Sequence, residues 1–276
     1  LVLILGIVFG TGRAENALMR YTPFFLCISC IMLFSLLIFL RKVKEPQLVK
    51  EMQEESRKYG LEEEREESGE GRGLTKGERR SLLLILTSVV LWFFGYNAVT
   101  SKYSVYAGSV LNLDYNATLT VATGIAILSY LPVGMLSSKI GRKKSILVGV
   151  LILGLAFFCA SFMRAGSSLA VMTILFGAAG IGWATINVNS YPMVVELSKG
   201  GNVGKYTGFY YTASMSAQTL TPVVSGFIMD KFGMTTLFPY GCVFVLLAFV
   251  SMMFVKNGDN KPEPAKAKLE AFAAED

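Results

Sequence analysis

Gly134-Met-Leu-Ser-Ser-Lys-Ile-Gly141-Arg142-Lys143-Lys144 is a short basic turn set between two apolar stretches, each long enough to cross a lipid bilayer. A hydrocarbon core of about 30 Å needs about 20 mostly apolar residues in a helix, because backbone groups facing lipid must be paired within their own segment. Working outward from the turn, stretches of that length lie at about 21–40, 81–111, 117–138, 145–163, 168–197, 206–229 and 234–255. The expected fold is an all-α membrane protein, a helical bundle with about seven complete transmembrane helices. Leu1 to Gly10 is apolar as well. Opening on Leu with no charged leader and no cleavage signal, it reads as the tail of a cut helix in an N-terminally truncated chain rather than as a signal peptide.

Charge supports this reading. Hydrophobic residues make up 53% of the chain and its formal charge is +6. In so apolar a chain basic charge reports topology before it reports a partner, so no nucleic-acid partner is expected. Of the 26 Lys and Arg, only Arg13, Arg20, Lys102, Arg164 and Lys231 fall on one set of alternate loops. The rest lie on the other set and in the tail, including Lys139, Arg142, Lys143, Lys144, Lys199, Lys205 and Lys256. The positive-inside rule places that second set, with the C-terminus, in the cytoplasm.

Residues 41–80 break the apolar pattern with a near-balance of acidic and basic side chains, and they read as a cytoplasmic linker. Its front half is expected as a surface helix supported by pairs such as Glu54 with Lys58, and Ser68 to Gly73 as a flexible tether. Cys27, Cys30, Cys159 and Cys242 lie within apolar spans and read as small core residues. The C-x-x-C spacing of the first two sits on a helix in lipid, with no second pair and no histidine in the chain, so it marks neither a metal site nor a redox couple. There is no phosphate loop, nucleophile elbow or pair of carboxylates, so no catalytic residue, metal or cofactor is expected.

Six spans after a long charged loop, with the basic turn between the second and third of them, resemble the C-terminal half of a major facilitator superfamily transporter. Gly134, Lys139, Gly141, Arg142, Lys143 and Lys144 match that family's loop pattern, whereas Ser138 stands where the pattern has an acidic residue. A weaker echo runs from Gly226 through Asp230 and Lys231 to Gly233. The resemblance implies that residues 1–40 end an N-terminal transmembrane half, 81–256 form the C-terminal six-helix half and 257–276 are a cytoplasmic tail. It implies an integral multi-pass membrane protein working by alternating access, with lipid and a small-molecule substrate as partners.

In the turn, Gly134 and Gly141 are expected to permit close helix approach and a tight reversal, and Lys139, Arg142, Lys143 and Lys144 to meet helix C-termini and carboxylates. Glu196 is the available carboxylate, with Lys205 close behind it in sequence. An ion pair made in one state and broken in another would gate access; the alternative is that the cations only set topology.

The superfamily architecture implies a substrate site near the bilayer midplane, of which this half forms one wall. Three clusters are candidates. The first is Trp92-Phe-Phe-Gly-Tyr96-Asn97, followed by Thr100, Lys102 and Tyr103, in which Gly95 is expected to loosen the helix and turn Tyr96 and Asn97 toward a cavity. In the second, Trp183, Asn187 and Tyr191 recur on one helical face at i, i+4 and i+8, with Asn189 nearby. The third is Tyr210, Tyr211, Ser214, Gln218 and Thr221. Helix-to-helix hydrogen bonding and interface anchoring are the plainer alternatives for the second and third. Glu15, Asp114, Glu196 and Asp230 all lie at loops or span ends, which puts any proton or sodium site in the other half.

The stretches Trp92 to Ala98 and Trp183 to Val194 are similar to those of the sucrose/proton symporter-like and glycoside:cation symporter branch. That similarity implies cation-coupled transport of a neutral sugar or glycoside. An exporter of apolar drugs, a carrier of organic anions or peptides, and a transport-inactive scaffold or receptor are the alternatives.

Overall fold

A computed structural model describes residues 22–44, 47, 50, 51, 54, 73–113, 115–198 and 203–259 of the 276. It divides into two compact units, Leu1–Arg65 and Glu66–Asp276. In the first, helix α1 (Thr22–Lys42) carries exposed Phe25, Leu33, Phe34 and Phe39 and ends on Arg41 and Lys42, which suit the negative end of the helix dipole. Cys27 and Cys30 are free thiols on this helix. Residues 47, 50, 51 and 54 are helical; Lys58, residues 68–72, the 260–276 tail and Leu1 to Gly10 lie outside the described residues.

The second unit is a bundle of α2 (Lys76–Tyr106), α3 (Tyr115–Ile140), α4 (Arg142–Ala160), α5 (Leu169–Glu196), α6 (Val203–Phe232) and α7 (Leu237–Met253). Helix α2 begins within the expected linker because Thr75 and Glu78 form a capping box. The Glu78 N–H donates to the Thr75 hydroxyl at 3.3 Å and the Thr75 N–H to the Glu78 carboxylate at 2.9 Å. The helix closes through a π turn at Ala107–Leu111 and stops at Asn112, whose φ of 54° is left-handed.

Packing links α2 to α6 and α7, α5 to α3 and α4, and α4 to α7. Glycine sets the α4–α5 crossing: a Cβ on Gly182 would lie 2.7 Å from the Gly149 carbonyl oxygen, and one on Gly149 would lie 2.9 Å from that of Gly182. Gly95 serves a similar close approach. It sits within an unbroken helix, where a Cβ would lie 2.8 Å from the Gly241 oxygen of α7, so it admits a neighbour and does not loosen α2 as expected. Gly134 needs no such closeness, since its nearest neighbour, Val188, is 3.9 Å from the Cβ position. Gly141, by contrast, makes the reversal between α3 and α4 at φ 100°.

Among the described residues, six helices are long and apolar enough to cross a membrane: α1, α2, α3, α4, α5 and α7. Seven were expected. The difference is α6, whose 30 residues suffice in length but carry Tyr206, Thr207, Tyr210, Tyr211, Ser214, Gln218 and Thr221.

Candidate functional site

Two of the sequence clusters meet. Tyr96 of α2 stacks on Trp183 of α5, with ring centroids 3.7 Å apart and planes 4° from parallel. Phe93, one turn earlier on α2, meets the same indole edge-on at 5.1 Å and 83°. One turn beyond Trp183, Asn187 is half-buried and its Nδ2 donates to the Trp183 carbonyl at 2.9 Å, leaving Oδ1 and one N–H for another partner. Tyr191 continues the stripe toward α6: its hydroxyl lies 3.0 Å from Thr207 Oγ1 and its ring is edge-on to Tyr210 at 5.4 Å. Tyr210 is itself held by Ser190, with 2.9 Å between the hydroxyls. The result is a wall of aromatic faces and hydroxyls drawn from three helices.

Other candidates fall elsewhere. Asn189 is 1% exposed and bonds to the Thr185 carbonyl at 2.8 Å. It faces a crevice of about 180 Å³ shared with Gly134, Ser137, Ser138, Arg142 and Pro192, away from Asn187. The two-residue offset explains this, since successive helical positions turn by about 100°. Asn97 donates back to the Phe93 carbonyl at 2.9 Å, and Gln218 is half-buried on α6. Trp92 is fully buried in the core and Tyr103 accepts a 3.0 Å bond from Thr118, so neither joins the wall. Sequence reasoning missed a cavity of about 190 Å³ behind Tyr96, lined among others by Thr100, Thr123, Phe157 and Phe176. Its lining comes from four helices at irregular spacing, which leaves no periodic signal.

The gating candidates gather at the end of the bundle where α4 begins and α5 ends. The Arg142 guanidinium pairs with Glu196. Lys143 Nζ donates to the carbonyls of Met253 at 3.0 Å and Val255 at 2.5 Å, which closes the end of α7. Lys139 is exposed in the last turn of α3, and Lys205 stands over the Phe209 ring at 5.8 Å. Asp259, which carries no signal in the sequence, accepts the Arg142 backbone N–H on Oδ1 at 2.6 Å.

The model of the Major Facilitator Superfamily matches residues 115–275. The chain is 30% identical over 196 residues to the uncharacterized protein YqgE of Bacillus subtilis, an alignment covering 66% of this chain and 44% of that protein. It is 26% identical over 125 residues to the uncharacterized MFS-type transporter MJ1317 of Methanocaldococcus jannaschii, covering 45% and 30%. The chain thus spans less than half the length of either relative.

Proposed function

The chain belongs to the Major Facilitator Superfamily, and from that premise we propose that it forms the C-terminal half of a secondary transporter. Its solute is a neutral sugar or glycoside, carried by alternating access and coupled to a proton. The observation that carries this reading is the Tyr96–Trp183 stack beside Asn187 and Tyr191. Aromatic faces pack on the C–H faces of sugar rings, and amides and phenols bond their hydroxyls, while no side chain of this wall carries a formal charge at neutral pH. The coupling carboxylate then belongs to the other half, and the basic end of the bundle to the cytoplasm.

A second reading has its own observation. Asn187 spends one amide N–H on its own helix, and Asn97 and Asn189 lie off the wall, which leaves the wall more aromatic than polar and suits an exporter of apolar compounds. Uptake of labelled sucrose or maltose by proteoliposomes of the full-length protein, with and without an inward proton gradient, separates the two. Gradient-driven accumulation is the expected result. Absence of sugar flux together with proton-driven efflux of an apolar dye would favour the exporter.

A further inference from the structure

Helix α4 opens with Arg142, Lys143 and Lys144 and has no acidic residue in its first turn. Three cations at the positive end of a helix dipole repel both it and one another. Gly141, the residue at the cap position, has no side chain to bond the first N–H groups. The countercharge comes from beyond α7. Asp259 accepts the Arg142 N–H at 2.6 Å, and a Cβ on Gly141 would lie 3.1 Å from both of its carboxylate oxygens, so the carboxylate occupies space that glycine leaves open. The preceding residues are tied down on three helices. The backbone N–H groups of Lys256 and Asn257 reach Ser81 Oγ of α2 at 3.4 and 3.2 Å, Gly258 lies against the Met193 carbonyl of α5, and Lys143 of α4 holds the Val255 carbonyl.

The guanidinium of the capped residue grips Glu196 in the last turn of α5. Pro192 lies one turn earlier and, lacking an N–H, leaves the Val188 carbonyl without its helical donor. The turn that carries Glu196 is therefore joined to the Trp183–Tyr191 stripe through a weakened ladder.

We propose that Asp259 is a positioning residue of an access latch: by capping α4 it holds Arg142 on Glu196 and so fixes the terminal turn of α5 beyond Pro192. The inference rests on the transporter reading for what the latch gates, and not on the identity of the solute.

Ser137, buried in the crevice that Arg142 and Pro192 also line, is the reporter position. In an otherwise cysteine-free full-length protein in native membranes, Ser137→Cys is labelled with a water-soluble maleimide and the rate is measured. Asp259→Asn should speed labelling about tenfold, the scale of one lost charge-assisted hydrogen bond. Asp259→Glu should keep the slow rate, and Ser138→Asp, placed in the same crevice, should restore it in the Asp259→Asn protein. Glu196→Gln should match Asp259→Asn, and the double variant should be no faster than either. An unchanged rate in Asp259→Asn overturns the proposal. Should that variant fail to accumulate, an unchanged rate in Glu196→Gln overturns it equally. Labelling needs no substrate, so a flat rate leaves the sugar reading standing and absent sugar uptake leaves the latch standing.

Discussion

The Tyr96 ring lies flat on the indole of Trp183, 3.7 Å between centroids, although the two residues belong to different helices. Because Phe93 meets the same indole edge-on, the orientation of Trp183 is set by α2 as much as by its own helix. Such a pair contributes about 0.5–1.5 kcal/mol beyond its buried area. A double-mutant cycle of Tyr96→Ala and Trp183→Ala, read by thermal unfolding in detergent, should return a coupling of about 1 kcal/mol, and Tyr96→Phe should retain it. Additive effects of the two substitutions would mean that the stack holds nothing together.

Asn187 keeps an unengaged Oδ1 on the face that continues from Trp183. On the sugar reading proposed above, Asn187→Ala in the full-length protein should abolish saturable sugar uptake with expression unchanged, whereas Asn189→Ala, on the other face, should lower thermal stability first. Wild-type uptake by Asn187→Ala would take the second cluster out of the site.

At the crossing of α4 and α5 there is no room for a side chain. Gly182→Leu forces a Cβ to within 2.7 Å of the Gly149 oxygen and should destabilise by about 1–3 kcal/mol or more, the range for overpacking. Size-exclusion profiles should show loss of the monodisperse peak; an unaltered profile and melting temperature would contradict the contact.

The capping box predicts a smaller, local effect. Thr75→Ala removes the acceptor for the Glu78 N–H and should lower stability by about 1 kcal/mol. Hydrogen exchange at residues 76–80 is the direct readout: faster exchange confined to that turn is expected, and unchanged protection there would show that the box is idle.

Much of the bundle was legible in the sequence because lipid imposes one strong rule. Unbroken apolar length marks a helix, and each of the seven stretches read that way overlaps an observed helix. The start of α2 was misplaced because Glu78, Arg79 and Arg80 look like linker by charge, although Thr75-Lys-Gly-Glu78 carries a readable cap. Spacing put Trp183, Asn187 and Tyr191 on one face, but it cannot say which residue of another helix will meet them, and Tyr96 and Trp183 accordingly appeared as separate clusters. Asp259 left no trace at all: a single carboxylate past the last apolar stretch looks like tail, and its role exists only through the position of Gly141 in space.

The polarity of α6 bears on how this bundle is assembled. A helix that carries Thr207, Tyr210, Tyr211, Ser214, Gln218 and Thr221 partitions weakly into hydrocarbon by itself. The short turn at Gly233 joins it to the strongly apolar α7, and α2 offers the surface against which its buried residues pack. Insertion assays on segments should find α6 poorly integrated alone and well integrated as a hairpin with α7. Biogenesis would then not proceed one helix at a time: α6 would be a late entrant, retained near the translocation machinery until α7 emerges to carry it in, and a substitution that weakens α7 would be read by the cell as a failure of its neighbour.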